Sequence, residues 1–156
     1  MIKVELGDLD AFDRRILDIL TSDGRITITE LSQKVGLSKT PCQNRVRRLE
    51  NDGYILGYRA VLDPARLGAG HIAFVQVTLA NTTSDALERF NAAVRVIPEI
   101  EQCHMIAGGF DYLLKVRTSN IESYRKILGE RLSALPNVSH TSTFVVMESV
   151  VDAPAR

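Results

Sequence analysis

The side chains between residues 38 and 48 are of types that recognise nucleic acid. Arginine can pair bidentately with guanine, glutamine or asparagine can pair with adenine, and lysine or hydroxyl groups can reach phosphates and base edges. The candidate DNA contacts are Ser38, Lys39, Thr40, Gln43, Asn44, Arg45, Arg47 and Arg48. Among them, Arg45 and Arg48 flank the face and are expected to contact phosphates. The alternative is a solvated charged face on an ordinary helix.

A second candidate site is the glycine–aspartate segment that ends in Asp111 and Tyr112. Gly108 and Gly109 allow a positive φ and the close approach of a ligand to the backbone. Asp111 could accept hydrogen bonds from an ammonium group while the glycine amides donate to a carboxylate, which would suit an amino acid. The alternative is a plain turn in which Asp111 bonds its own backbone, and spacing alone favours that alternative.

The remaining reactive residues do not form a catalytic or metal site. Cys103 and His104 are adjacent on a predicted strand, so their side chains point to opposite faces. The histidines and cysteines lack metal-ligand spacing, and no glycine-rich phosphate loop follows a strand. The sequence therefore predicts a protein that is not an enzyme and holds no metal or cofactor. Cys42 and Cys103 are expected to be buried free thiols.

Hydrophobic spacing predicts helices in the first third of the chain. The first begins after Asp10, and the second begins with Thr27 and Glu30 at the spacing of a capping box. Gly36 stands where a left-handed residue would end the second helix.

Ser38 is expected to cap a third helix whose buried face contains Cys42, Val46 and Leu49. A short helix, a tight turn and a basic helix in this order predict a helix-turn-helix. In that motif the N-terminal residues of the second helix lie nearest the bases.

The chain changes character after residue 53. Residues 54–62 alternate around Gly57 and predict a hairpin, as in a winged helix-turn-helix. Residues 63–70 are rich in proline and glycine and predict a linker. We therefore expect a DNA-binding domain over residues 1–62 and a second domain over residues 71–156.

The second domain is predicted to be ferredoxin-like, which makes the whole chain an α+β protein. The patterns predict strands over 71–79, 100–107, 112–118 and 142–151, and helices over 84–97 and 120–135. This βαββαβ order gives an antiparallel sheet with both helices on one face. We expect the uncovered face to be partly apolar and to drive self-association, through Val75, Val77, Val116, Val145 and Met147.

The distribution of charge matters more than the net charge, which is zero. Residues 38–59 contain five basic and two acidic side chains, an excess of three, whereas residues 63–156 contain nine basic and ten acidic ones. No apolar run is long enough to span a membrane, and the N-terminus lacks the plan of a signal peptide. We therefore expect a cytoplasmic protein with double-stranded DNA as its partner and no contact with membranes.

The sequence resembles the leucine-responsive/asparagine-regulator (Lrp/AsnC) family from about Leu9 to Val150, and most of all its leucine-responsive branch. In the first third the resemblance is carried by Asp13-Arg14-Arg15-Ile16-Leu17, Asp23-Gly24-Arg25-Ile26, residues 31–38 and residues 42–50. In the remainder it is carried by residues 106–112, residues 124–129, Leu135-Pro136 and Val145-Val146-Met147-Glu148. Gly109 departs from the pattern, because a polar residue is common there in the leucine-responsive branch.

The resemblance implies a homodimer formed through the C-terminal sheets, further assembly into octamers, and an amino-acid effector bound between dimers. It places the effector beside the loop between the second and third strands and so reverses the preference for a plain turn. The implied effector contacts are Met105, Gly108, Phe110, Asp111, Tyr112, Thr141 and Thr143.

Together these features predict an amino-acid-responsive transcription regulator of amino-acid metabolism. One alternative is an architectural protein that wraps DNA with little effector response. Another is a stand-alone amino-acid-binding module, against which the DNA-reading helix argues.

Overall fold

The computed structural model describes residues 9–151, so the outer ends of both predicted domains, 1–8 and 152–156, lie outside the described residues. The chain divides into two compact units between Val61 and Leu62. Residues 64–68 form turns, in which the amide of Ala69 donates to the carbonyl of Pro64 at 2.8 Å. The role of residues 63–70 as a linker stays a prediction.

The first unit is built on three helices: α1 (Ala11–Ser22), α2 (Ile28–Val35) and α3 (Lys39–Asn51). Each helix places one apolar stripe in a common core, as the hydrophobic spacing predicts. The core consists of Ile16, Leu31, Val35, Cys42, Val46 and Leu49. Cys42 is therefore buried, and its thiol is free.

The helix boundaries follow from capping chemistry. Asp10 and Asp13 form a capping box at the start of α1, and Thr27 and Glu30 form the predicted one at the start of α2. Gly36 ends α2 with a φ of 84°, which confirms the predicted left-handed position. Ser38 is the first flanking residue of α3, but its side chain makes no capping hydrogen bond, so that part of the prediction was wrong.

The hairpin predicted over residues 54–62 was wrong, because the described structure has no strand there. The segment is held by the helices instead: the amide of Ile55 donates to the carbonyl of Leu49 at 3.1 Å. Tyr58 donates a hydrogen bond to Glu50 at 3.0 Å. Burial first, and then this bond, raises the pKa of Tyr58 to about 12. The apolar residues of this segment have no partner strand, and Leu56, between the two anchors, is 96% exposed.

The second unit is a four-stranded antiparallel sheet with its helices on one face. Its elements are β1 (His71–Leu79), α4 (Ser84–Arg95), β2 (Ile100–Met105), β3 (Tyr112–Thr118), α5 (Ile121–Ile127), a π-helical turn (Leu128–Leu132) and β4 (Val138–Val145). The strand order β2-β3-β1-β4 is that of the predicted ferredoxin-like plan. The predicted helix 120–135 is thus a short α-helix that continues into a π-helical turn.

The side of the sheet that faces the helices carries the core of this unit. Val75, Val77 and Val116 lie there with no exposed surface, packed with residues of the helices such as Phe90. Their predicted place on the uncovered face was wrong, because a strand covered on only one side sends alternate residues inward and these three are the inward set. The uncovered face instead carries Ile72, Phe74, Leu113, Lys115, Arg117 and Phe144.

The last strand begins earlier than residue 142. Its pairing with β1 runs from Leu79 opposite Val138 to Ala73 opposite Val145. Asn137, at a φ of 64°, turns the chain, and its carbonyl accepts from the amide of Ala80 at 2.8 Å. The polar stretch 139–143 was not recognised as a strand because its partner, β1, is far away in sequence. Met147 lies beyond β4 and is fully exposed, at 101%.

Adjacent residues of β3 test the assignment of the two sheet faces. Leu114 has no exposed surface, and Leu113 points to the opposite side. We expect Leu114→Ala to lower the free energy of unfolding by about 2–5 kcal/mol at any protein concentration. Leu113 lies on the face that is expected to self-associate, so the loss in Leu113→Ala should change with protein concentration. Chemical denaturation at several protein concentrations measures both, and a concentration-independent loss of about 2–5 kcal/mol in Leu113→Ala would contradict the assignment.

Candidate DNA interface and effector loop

The exposed side of α3 carries most of the predicted DNA contacts. Successive residues of an α-helix are separated by roughly 100°, so burial of Cys42, Val46 and Leu49 turns the opposite side of α3 outward. Thr40, Asn44 and Arg47 lie there and are exposed. The sequence-predicted face is therefore assembled on one surface, which also has Ser38 and Lys39 exposed at its N-terminal end and Gln43 half-buried at its edge.

Five of these side chains have no internal partner. Within residues 9–151, no hydrogen bond or ion pair engages the side chains of Lys39, Thr40, Gln43, Asn44 and Arg47. Contact with another molecule would therefore break no hydrogen bond or ion pair of these side chains within the described residues. Such polar groups on a helix anchored by its apolar face can contact phosphate oxygens and base edges without rearrangement of the fold.

Arg45 and Arg48 are placed differently, because both bind carboxylates at the start of α1. Arg45 Nη1 lies 2.7 Å from Asp10 Oδ2 and 2.8 Å from Asp13 Oδ1. Arg48 Nη2 lies 2.5 Å from Asp13 Oδ2. The hydrogen bond to Asp13, followed by that to Asp10, raises the pKa of the Arg45 guanidinium. These two arginines tie α3 to the start of α1.

Asp13 is the residue of this surface that sequence reasoning missed. Its side chain is 1% exposed, and it also accepts from the amide of Asp10 at 3.2 Å. The amide of Asp13 in turn donates to Asp10, which first of all lowers the pKa of the Asp10 carboxyl. The spacing Asp10–Asp13 before an apolar stripe was a usable signal for the capping box. Its partners on α3 are more than thirty positions away, so the sequence did not indicate them.

The second candidate site is the turn between β2 and β3. The amide of Ile106 donates to the carbonyl of Asp111 at 2.8 Å, which closes the turn. The amide of Asp111 donates to Val77 of β1 at 3.0 Å, and Asp111 Oδ2 accepts from the amide of Leu79 at 2.7 Å. A register shift in the β1–β4 pairing falls between Thr78 and Leu79. One oxygen of Asp111 therefore supports the backbone of β1, and not the backbone of its own turn as in the plain-turn alternative.

The two glycines of this turn do not adopt a positive φ, so that argument for them was wrong. A Cβ added at Gly109 would meet no atom within 4 Å, and one at Gly108 would lie 3.6 Å from Ile106, an ordinary contact. The fold of the single chain therefore does not require glycine at either position.

The other predicted effector residues are spread over the sheet. Met105 is 59% exposed at the end of β2, Phe110 is half-buried in the turn, and Tyr112 is buried against Phe90. Thr141 pairs with Val77, on the opposite edge of β1 from Tyr112. Two strand spacings put it at roughly 10 Å from that residue.

Thr143 is occupied within the fold, because its hydroxyl lies 2.6 Å from the hydroxyl of Tyr124 on α5. The structure therefore brings residues 105–112 together and separates the two threonines from them. Tyr124 is a neighbour that sequence reasoning did not assign to this region.

Within residues 9–151, no group of three or more His, Cys, Asp or Glu side chains could hold a metal ion. Within the same residues, no helix is both long enough and apolar enough to cross a membrane.

Two family models match the chain. Residues 9–55 match a winged helix-turn-helix DNA-binding model, and residues 72–156 match the Lrp/AsnC ligand-binding domain. The first match agrees with the three helices and the exposed face of α3. The second covers the whole βαββαβ region, which confirms the predicted fold class.

Curated proteins of the same kind resemble the chain over nearly its full length. A proline dehydrogenase transcriptional activator from Rhizobium radiobacter is 64% identical and covers 92% of each chain. A leucine-responsive regulatory protein from Salmonella typhimurium is 54% identical, over 92% of this chain and 87% of its own. Both are transcription regulators, which agrees with the expectation that the chain is not an enzyme.

A solved structure extends the similarity to three dimensions. It is a transcriptional regulator from Neisseria meningitidis in complex with L-methionine, 33% identical, with a TM-score of 0.86 over 92% of this chain and 93% of its own. The helix-turn-helix, the sheet topology and these relatives agree, and we conclude that the chain belongs to the Lrp/AsnC family of DNA-binding transcription regulators.

Proposed function

We propose that this regulator reads specific DNA sequences through the exposed face of α3 and responds to an amino acid bound beside residues 105–112. The observation that carries the proposal is the exposed polar face of α3. Its outward side chains have no hydrogen-bond or ion-pair partner within the described residues, while the apolar side of the helix is buried in the core. By analogy with the relatives described above, its target genes belong to amino-acid metabolism.

The reading set consists of the outward residues at the N-terminal half of α3, with Arg47 as its principal base-reading side chain. Thr40, Gln43 and Asn44 share that surface, and Ser38 and Lys39 stand at its N-terminal end. In a helix-turn-helix this part of the second helix lies deepest in the major groove. Arginine and amide side chains there can distinguish guanine from adenine.

The effector assignment rests on polar groups near residues 105–112 that make no hydrogen bond within the described residues. Asp111 Oδ2 accepts a hydrogen bond from the amide of Leu79, and the other carboxylate oxygen makes no hydrogen bond or ion pair within the described residues. Gly108 and Gly109 have room for a Cβ that the sequence does not supply. A carboxylate oxygen and open backbone amides suit the ammonium and carboxylate groups of an amino acid. The L-methionine complex of a relative supports an effector of this class.

We further propose that the protein acts as a homo-oligomer. The uncovered sheet face presents apolar side chains, including Phe144, which is 53% exposed, beside the charged Lys115 and Arg117. A second copy would remove this surface from water, which favours a dimer. Assembly of dimers into an octamer remains an expectation from the family resemblance.

Arg47→Ala tests the reading surface. We expect the operator affinity to fall by about 1–3 kcal/mol if Arg47 pairs with a base, because the lost bidentate contact is specific. Gel-shift titration on the duplex upstream of the protein's own gene, once footprinting locates the bound segment, measures this loss. The matched control is Arg95→Ala, which removes an exposed arginine from α4 and should leave the affinity unchanged. Equal affinities for Arg47→Ala and the control would contradict the proposal.

Asp111→Asn tests the effector site. Asparagine keeps an oxygen for the amide of Leu79 but removes the charge, so we expect loss of the effector response with basal DNA binding and stability retained. Asp111→Ala should also lose about 1–3 kcal/mol of unfolding free energy, because it leaves that amide unpaired. Thermal unfolding and footprinting with and without the effector measure both, and an intact response in Asp111→Asn would contradict the site.

Thermal-shift screening of the twenty amino acids identifies the probe for that experiment. A stabilising amino acid that also changes the footprint supports allosteric control, since an effector shifts an equilibrium only if it binds two arrangements differently. Weak sequence preference, extended wrapping of DNA and no stabilising amino acid would instead favour the architectural alternative.

A further inference from the structure

Two of the four positive charges on α3 form ion pairs with carboxylates at the start of α1. The helix carries four cations, Lys39, Arg45, Arg47 and Arg48. Arg45 and Arg48 bind Asp13, and Arg45 also binds Asp10, whereas the other two cations have no partner within residues 9–151. α3 therefore carries two arginines that are paired with carboxylates and one, Arg47, that has no partner within residues 9–151.

The pairing is held by the burial of Asp13. This carboxylate is 1% exposed, while the Arg45 and Arg48 side chains are 28% and 46% exposed. A phosphate that took either arginine would weaken the compensation of a buried negative charge, which is costly in a medium of low dielectric constant. The same phosphate could bind Lys39 or Arg47 with no such cost.

The surroundings further restrict Arg45. Its Nη1 atom lies between two carboxylates, at 2.7 Å from Asp10 and 2.8 Å from Asp13, and its guanidinium lies over the ring of Phe12, 5.5 Å from the centroid. A cation held from three sides has little freedom to turn toward a phosphate.

We propose that Asp13, supported by Asp10, is a specificity-determining residue that keeps Arg45 and Arg48 away from the DNA backbone. Phosphate contacts strengthen binding to every sequence alike, whereas base contacts strengthen binding to the correct one. By neutralising two arginines, the carboxylates reduce non-specific attraction and leave recognition to the outward residues of α3. This reassigns the two arginines that the sequence analysis expected to contact phosphates.

The test measures the salt dependence of binding by the full chain to a shuffled duplex. The logarithm of the association constant falls with the logarithm of salt concentration, with a slope of about −0.9 for each phosphate neutralised. We expect Asp13→Asn to bind the shuffled duplex more tightly at low salt, with a slope steeper by up to about 0.9 for each arginine released at each bound helix. The preference for the operator over the shuffled duplex should fall in parallel.

Asp10→Asn provides a milder second variant. Asparagine caps a helix as well as aspartate does, and Asp10 is 48% exposed, so the fold is retained while one partner of Arg45 loses its charge. We expect a smaller steepening than in Asp13→Asn. If thermal unfolding shows that Asp13→Asn does not fold, the slope of Asp10→Asn decides the matter alone. In the double variant Asp13→Asn/Arg48→Gln, part of the steepening should be reversed.

The matched control is Asp52→Asn, which raises the net charge equally at the end of α3 but releases no arginine. Its slope should equal that of the unchanged protein, because the slope counts phosphates contacted and not net charge. Folded Asp10 and Asp13 variants with the slope of this control would overturn the inference. So would weaker binding to both duplexes at an unchanged slope, which is the signature of a purely structural role.

The inference rests on the proposed docking of α3 against DNA, and the two can fail separately. An Arg47→Ala variant with full operator affinity would contradict the docking. Unchanged salt slopes in the Asp10 and Asp13 variants, with Arg47→Ala impaired, would contradict only the inference.

Discussion

Both units depend on the same constraint. Each helix, and the sheet, buries its apolar side in a core and leaves its other side exposed. In α3, the apolar residues Cys42, Val46 and Leu49 are drawn into a core shared with α1 and α2, and the polar residues are thereby turned outward. In the sheet, the helices cover one side and leave the other free. The candidate reading face and the expected self-association surface are the sides that cannot be buried within a single chain.

Electrostatics then divides the exposed cations into two groups. Arg45 and Arg48 form ion pairs within the fold, whereas Arg47 has no partner within residues 9–151 and can make the proposed contact with DNA. Arg47 and Arg48 are adjacent in sequence and belong to different groups, because a helix turns by roughly 100° at each residue and only Arg48 points toward Asp13. Charge type alone therefore does not distinguish the arginines that are paired within the fold from those that we propose to contact DNA.

Asp111 combines a structural contact with the effector role that we propose for it. Its first oxygen satisfies the amide of Leu79, beside the register shift in β1. Its second oxygen makes no hydrogen bond or ion pair within the described residues. The bond to Leu79 is consequently compatible with the proposed effector site. The turn itself does not require glycine at 108 and 109, and this agrees with the access that the proposed site would need.

The sequence by itself determined the elements whose signals are local. Capping at Thr27 and Gly36, and the bounds of β1 and β3, follow from neighbouring residues and appear where expected. Tertiary structure decided what depends on distant partners: the start of β4 on its pairing with β1, the inward direction of Val75, and the pairing of Asp13 with Arg45 and Arg48. The physical reason is that a strand's register and a buried charge's partner are set by chain segments that meet only in the folded state.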